Sequence, residues 1–424
     1  MATLRKRGEK LSLEQADAWS RLTPMVEVTV LGAGVVGMTS AFALARKGHS
    51  VTVVDSASSP AEAGASFGNG AQLSYSYTDA LASPSLVADL PKYILGLDPA
   101  FRLRIGFSPE FWLWALSFLA NASANKFERN TTAVLKLAME GRRELAEVSG
   151  KVEFDHRTTG KLHLYSTHEA LHRATVLSRL KNKYGAQQAV LTPEEAVDRE
   201  PALAGYQQTF VGALWSPFDE AGDSWRFCQN LRYLMQTEYG VTFRLGTTVQ
   251  ALKILSGKLV AIQTDAGELN CNRAVIALGV WSRQIARTVG IKLPIWPMQG
   301  YSMTVPATSS APDASITDNS KKIVFCRLGD RLRIAGLADI GAYHGDFRQS
   351  RFDGLLRAAK TLFPQAGDYE AKVNAWTGLR PMTPDSQPIV GRSNVEGVFL
   401  NCGHGSLGWT LSMGTAVRLA EVME

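Results

Sequence analysis

Near the start of the chain the hydrophobic positions predict one βαβ unit. Val26-Glu-Val-Thr-Val-Leu31 and Ser50-Val-Thr-Val-Val-Asp55 are β-branched runs, and the apolar stretch from Val35 to Lys47 between them has helical length. The turn into that helix reads Gly32-Ala-Gly34-Val35-Val36-Gly37, and Asp55 follows eighteen residues after the third glycine. Gly32 suits a tight turn, Gly34 lets backbone approach a pyrophosphate, and Gly37 lets helix and strand pack closely. The free N–H groups and positive dipole end of the helix then face the phosphates. Asp55 is placed to accept hydrogen bonds from ribose hydroxyls. The pattern points to a dinucleotide site and leaves NAD and FAD both open. The plainer alternative is a tight turn in an α/β protein.

Further along, Ala63–Gln72 is small and glycine-rich, suited to running backbone against a flat ligand, with Ser66, Asn69, Gly70 and Gln72 as candidate lining. Leu86 to Gly150 reads as helical, in pieces broken at Pro91, Pro99 and Pro109. Inside it, Phe111–Ala120 is apolar on nearly all sides but too short to span a bilayer. It reads either as a buried helix or as a surface that dips into a membrane interface. Period-two strands are expected at 160–165, 208–215, 241–245, 248–255, 258–264 and 273–279, then repeatedly from Met298 to Ala338. Helices are expected at 130–149, 169–184, 225–239, 351–363 and 410–422. The tail adds strands at 372–376, 387–390 and 398–401. Gly378–Asp385 is read as a loop, and so is Gly403–Gly408. The interleaving suggests a dinucleotide domain assembled from separate segments, with a second α+β domain inserted twice.

A length of 424 residues, with 45% hydrophobic and 20% charged residues, fits a two-domain globular protein. The net charge of +6 is spread out, with Arg5-Lys6-Arg7 the one tight basic cluster, so nucleic-acid binding is not implied. Cys228, Cys271, Cys326 and Cys402 are far apart, without CxxC or Cys/His spacing. That argues against a zinc site, an iron–sulfur centre or a disulfide framework, and no metal is expected. The absence of a signal peptide pattern and of a spanning apolar run fits a cytoplasmic protein. A peripheral position on the inner face of the cell membrane is the variant of that expectation. Residues 1–24 are polar and basic and are expected to be a poorly ordered extension.

The tail narrows the reading. Ala375-Trp-Thr-Gly-Leu-Arg-Pro-Met-Thr-Pro-Asp385, Gln387-Pro-Ile-Val-Gly391 and Asn401-Cys-Gly-His-Gly-Ser-Leu-Gly-Trp-Thr-Leu-Ser412 resemble the FAD-dependent D-amino acid dehydrogenases, of the D-amino acid oxidase and glycine oxidase superfamily. Glu200–Leu203, Gln299–Pro306 and Ile334–Ile340 match as well, so the resemblance covers about Val26 to Val422. Two departures stand out: the extension before Met25, and a chain that stops at Glu424 where many relatives continue. The resemblance implies a Rossmann-like FAD-binding domain from residues 25–80, 217–292 and 373–424. It implies an inserted substrate domain, an antiparallel-rich mixed sheet plus helices, from 81–216 and 293–372.

Oxidising an amino acid at Cα needs an anchored carboxylate, a neutral amine and a Cα–H aimed at a hydride acceptor, which flavin N5 would supply. No acid–base pair is demanded of the protein. Arg380 is the candidate for the carboxylate, since a guanidinium fork matches it bidentately, and the resemblance assigns the equivalent arginine that role. Its alternative is a structural pairing with Asp385. Tyr301 is the candidate for a second hydrogen bond to the carboxylate, with half-buried core as the alternative, and Arg327 is a weaker candidate. His404 is a candidate to approach flavin or substrate, with a satisfied loop histidine as its alternative. The 403–408 loop, with Gly405, Ser406, Leu407, Gly408, Trp409 and Thr410, is suited to the flavin N1–C2=O edge. By resemblance, Ser56, Val249, Ala277, Gly279, Trp281 and Gly378 also line the cofactor, held non-covalently.

The implied reaction converts D-amino acids to imino acids and then to 2-oxo acids and ammonia, with electrons passing to a quinone or other respiratory carrier. Rival readings are a D-hydroxyproline, sarcosine or glycine-type enzyme of the same superfamily, an oxygen-using oxidase, an NAD-dependent enzyme, and a non-catalytic flavoprotein subunit.

Overall fold

The structure is a computed structural model and describes residues 25–341, 345–371 and 373–424. The expected extension at 1–24 lies outside the described residues. The opening βαβ unit forms as its pattern predicts, as Glu27–Leu31, Val35–Arg46 and Ser50–Asp55. It sits inside a six-stranded sheet ordered Ile389–Arg392, Val398–Cys402, Ala274–Ile276, Glu27–Leu31, Ser50–Asp55, Thr242–Leu245. Neighbours are parallel except for the first two, which form an antiparallel hairpin. Parallel strands covered on both faces need continuous apolar runs. Val30, Leu31, Val53, Val54, Val275 and Ile276 are accordingly fully buried.

Helices Val35–Arg46, Ser224–Tyr239 and Gly408–Met423 pack together on one face of this sheet. Thr39 Oγ1 donates to Ser412 O at 3.1 Å, and Asn401 Nδ2 donates to Ser40 Oγ at 2.9 Å. Helix Gly408–Met423 and strand Val398–Cys402 are thereby bonded to helix Val35–Arg46. The other face takes the short helix Ser282–Arg287 and the antiparallel three-stranded sheet of Val249–Leu255, Lys258–Thr264 and Gly267–Asn270.

A second, nine-stranded sheet runs Asn374–Met382, Trp296–Pro306, Arg331–Ile340, Ile323–Leu328, Ser315–Asp318, Lys161–Tyr165, Gly212–Ser216, Ala189–Leu191, with Phe101–Leu103 paired to the far end of Arg331–Ile340. It is mixed and mostly antiparallel, with parallel pairings at Ser315–Asp318 with Lys161–Tyr165 and at Phe101–Leu103. Helix Gln349–Leu362 covers one face through Phe352, Leu355, Ala359 and Leu362, against Tyr301, Met303, Phe325 and Ile334. The opposite face carries Ser302, Arg333, Ala335 and Arg380. The glycine-rich 64–72 segment lies along it and joins the two sheets.

Several expectations are corrected. Gly378–Met382 is not a loop but the second half of a nine-residue strand. The Pro381 ring costs little there, because this strand is at the sheet edge. The strand belongs to the nine-stranded sheet, although it was expected in the FAD-binding segments. Phe101–Leu103 is a strand inside the supposedly helical region, while Pro91 and Pro109 lie in the first turns of their helices rather than breaking them. Gln208 and Thr209 end a 3₁₀ helix, so that strand starts only at Gly212. The strands 189–191, 267–270 and 315–318 gave no usable pattern, being three or four residues long. Helix Pro109–Ala120 is buried on one side only: Phe111, Trp114 and Phe118 are buried, while Trp112, Leu113, Leu116 and Leu119 are exposed.

Candidate active site

The dinucleotide cradle is shaped by what two glycines leave out. Gly32 has φ +108°, and a Cβ there would lie 2.6 Å from Ala277 O. A Cβ on Gly37 would overlap the Gly32 carbonyl oxygen. Gly34 caps helix Val35–Arg46 without a side-chain hydrogen bond of its own, and the Val35 N–H reaches Ser66 Oγ at 3.0 Å. Val36 N–H is not matched by any side-chain cap. Asp55 ends its strand beside the turn, its carboxylate accepting from Ala33 N–H at 2.6 Å and Ala57 N–H at 2.8 Å, with Ser56 exposed next to it. Ala277 closes the floor under Gly32. Gly279–Trp281 is a 3₁₀ turn after strand Ala274–Ile276, with Gly279 at φ +58°. Val249 opens the three-stranded sheet rather than the parallel one.

The glycine-rich segment is clamped from both sides. Ser302 Oγ donates to Gly68 O at 2.6 Å, and Arg333 Nη1 donates to Asn69 O at 2.8 Å. The Asn69 side chain is turned inward, bonding Ser224 Oγ and Ala71 N–H, and Gln72 reaches toward Ile316 O and Phe325 O. Beyond it, Ser74 N–H donates to Thr410 Oγ1 at 2.9 Å. That bond ties the segment to helix Gly408–Met423, whose N-terminus also lacks a side-chain cap. Gly405–Leu407, including Ser406, forms a 3₁₀ turn leading into it. The helix offers backbone donors, whereas the Trp409 indole packs on Phe154 and Phe227 in the core and bonds Gly222 O. Trp409 is therefore not cofactor lining through its side chain.

Arg380 is partly buried on the face that receives the glycine segment, with Gly300 beneath its guanidinium. Its Nη1 donates to Leu337 O at 2.9 Å, and no carboxylate pairs with it among the described residues. Asp385 does not reach it, which removes the structural pairing weighed above. Leu337 has φ +64° in a bulge where the register with Gln299–Tyr301 shifts, an unusual conformation for a bulky residue. The bulge turns the Leu337 carbonyl toward Arg380. Loss of hydration draws the guanidinium pKa down to about 10, against the opposing pull of Asp339. It stays charged at neutral pH.

Tyr301 does not join Arg380. Directly opposed residues of an antiparallel pair share a face. Met298 opposes Arg380, so Tyr301, three residues on, points to the other face. There it is buried against Phe347 and the helix Gln349–Leu362 cluster. Arg327 is also elsewhere, bonded to Ala311 O and Asp313. His404 is buried with Nε2 3.0 Å from Thr415 Oγ1, so its ring is committed to the last helix and not to a substrate. Burial alone lowers its pKa to about 3.

The sign of that shift gives a prediction. The folded protein holds His404 neutral, while the unfolded chain takes up a proton near pH 6.5. Stability from this group is complete above pH 6.5 and is lost toward pH 3, at up to about 1.4 kcal/mol per pH unit. His404→Gln should flatten that part of a denaturation-versus-pH profile and leave the pH dependence of turnover unchanged.

These features fit an FAD. The close glycine turn and the start of helix Val35–Arg46, where Ser66 Oγ takes the Val35 N–H, suit the pyrophosphate, and the start of helix Gly408–Met423, without a side-chain bond from its N-cap residue, suits the flavin edge. The profile of the family described as FAD dependent oxidoreductase (DAO) matches residues 27–422. The chain belongs to that family. It is therefore an FAD-dependent oxidoreductase, built on a Rossmann-like sheet with an antiparallel-rich partner sheet. The D-amino acid dehydrogenase of Methylobacterium radiotolerans is 37% identical over 404 residues, covering 94% of this chain and 96% of the relative. That of Rhizobium rhizogenes is 36% identical over 402 residues, with 94% and 96% covered. Among solved structures, L-proline dehydrogenase from P. horikoshii has TM-score 0.70 at 20% identity, covering 95% and 94% of the two chains. Glycine oxidase from Geobacillus kaustophilus has TM-score 0.70 at 22% identity, covering 93% of each. At those identities the likeness is one of fold.

The motifs did not point to Leu337, to Ser302, or to Trp376, whose ring packs against Gly68 and Gly378. Gly300, a glycine inside an otherwise bulky strand, was the one available signal of close approach.

Proposed function

We propose that this flavoenzyme oxidatively deaminates D-amino acids. The observation carrying this reading is Arg380: a desolvated guanidinium bonded to Leu337 O, with no acidic partner among the described residues. Its Nη2 side is left for a carboxylate, which would supply the missing countercharge. Bound FAD supplies the two-electron acceptor. The protein fixes the carboxylate and so the direction of Cα–H. That bond breaks with its electron pair leaving as hydride, the nitrogen lone pair forms C=N, and the imino acid is then hydrolysed to 2-oxo acid and ammonia. With His404 turned away, no protein base is needed once the amine is neutral. The D-amino acid dehydrogenase relatives support the substrate class. Anaerobic mixing with D- and L-amino acids tests it: D-isomers should bleach the flavin absorbance, and bleaching by L-isomers alone would overturn the reading.

For the acceptor we favour a membrane quinone. Phe107 is 100% exposed, Leu113 69% and Leu116 61%, and Trp112, Leu119, Leu95 and Leu97 extend the same apolar stretch. Glu110, the one acid of helix Pro109–Ala120, is paired with Arg287, and Lys126 bonds the carbonyl at the helix end. This apolar ridge with cationic ends suits an anionic bilayer surface. Among the described residues no helix is long and apolar enough to cross a membrane. Leu113→Glu/Leu116→Glu should lower sedimentation with phosphatidylglycerol-containing vesicles by about tenfold or more, leaving turnover with a water-soluble quinone intact. Unchanged sedimentation would exclude this surface, and fast hydrogen peroxide release would exclude a quinone acceptor.

A further inference from the structure

Arg380, Gly378 and Trp376 occupy alternate positions on strand Asn374–Met382, opposed across strand Trp296–Pro306 by Met298, Gly300 and Ser302. All six share one face. Two glycines therefore meet in the gap between a guanidinium and an indole. A Cβ on Gly300 would overlap the Arg380 guanidinium, and a Cβ on Gly378 would overlap the benzo edge of Trp376. The two flat groups lie side by side on bare backbone.

The other end of the indole is held as well. A Cβ on Gly68 would collide with Trp376 Cγ and Cδ2, and Gly68 is pinned by Ser302 Oγ at 2.6 Å. The ring is thus wedged between the edge strand and the glycine segment. Beyond Arg380, Met298 and its cross-strand partner Ile340 are apolar and buried. Asp339, the one charge acting on Arg380, is committed to Arg351, whose Nε donates to Asp339 Oδ2 at 3.0 Å. No described acid or base stands ready for a charged substituent.

We propose that Trp376 determines substrate specificity, confining the site to D-amino acids with short, uncharged side chains. With the carboxylate on Arg380, a substituent on Cα that leaves the guanidinium on this side meets the benzo edge of the indole that covers Gly378. This rests on the D-amino acid reading above. Apolar pockets discriminate at about tenfold or more per methylene, so kcat/KM should fall steeply along D-alanine, D-2-aminobutyrate, D-norvaline and D-norleucine. D-lysine should be worse than D-norleucine, which matches it but for the ammonium.

The test compares the FAD-loaded wild type with Trp376→Phe and Trp376→Ala in two measurements. One is the turnover series. The other is calorimetric binding of unreactive straight-chain carboxylates from acetate to hexanoate, with flavin content recorded for each variant. The expected result is a length limit that moves outward in Trp376→Phe and further in Trp376→Ala, by about tenfold in the D-norleucine to D-alanine ratio. The carboxylate limit should move in parallel. A limit unmoved in both variants and both measurements overturns the role of Trp376. If no D-amino acid is oxidised but the carboxylate limit still moves, the substrate reading falls and the role of Trp376 stands.

Discussion

Arg380→Lys should lower kcat/KM for D-alanine by about a hundredfold to a thousandfold, roughly 3–4 kcal/mol. The magnitude follows from what lysine cannot reproduce. The guanidinium lies flat on Gly300 with Nη1 bonded to Leu337 O, so its remaining donors form a fixed fork. An ammonium is a point charge on a flexible stem, gives no bidentate geometry, and loses more hydration in the same partly buried place. The loss should fall mainly on substrate affinity, with KM rising more than kcat falls, and the flavin should remain bound. Arg380→Met should lose more, because no countercharge remains for the carboxylate. Stopped-flow flavin reduction across substrate concentration separates the two terms. Near-normal saturation in Arg380→Lys would remove this residue from the site.

Gly37→Ala should abolish flavin retention rather than slow turnover. The added methyl would overlap the Gly32 carbonyl oxygen, and Gly32 is itself pressed against Ala277 O. Both carbonyls belong to the backbone, so no side chain can move aside, and helix Val35–Arg46 has to lift from its strand. Overpacking of that kind costs about 1–3 kcal/mol or more, and the displaced N–H groups no longer converge on a phosphate. The variant should purify with about a tenth of the wild-type flavin or less, read from the ratio of visible to ultraviolet absorbance. Gly64→Ala is a useful control, since nothing lies near the added methyl there, although its positive φ carries a modest strain. Full flavin content in Gly37→Ala would show that this turn does not hold the cofactor.

How far the chain can be read without coordinates depends on whether a signal is local. The βαβ unit was legible because glycine spacing, a continuous apolar run and a terminal acid lie within thirty residues of each other. The helices Ser224–Tyr239 and Gln349–Leu362 were legible from their period. The strands Ala189–Leu191, Gly267–Asn270 and Ser315–Asp318 were not, since two alternations are too few to establish one. The proline in Gly378–Met382 suggested a turn, and only the strand's place at the edge of the sheet explains why it is tolerated. Arg380 was singled out through its motif, but the side of the sheet occupied by Tyr301 depends on a pairing register set by residues some eighty positions away. The commitment of His404 to Thr415 and of Trp409 to the core likewise follows from packing, which a motif does not carry.

The bond from Thr39 to Ser412 O has a consequence for the order in which the molecule can be completed. Synthesis runs from the N-terminus, so the glycine turn emerges well before the helix that backs it. Until Gly408–Met423 appears, one side of helix Val35–Arg46 has no cover, and Ser74 has no Thr410 to bond. The cradle is begun early and closed late. A growing chain must keep this βαβ unit from pairing elsewhere while about 350 residues are added before Gly408, and the cofactor meets a closed cradle only after that.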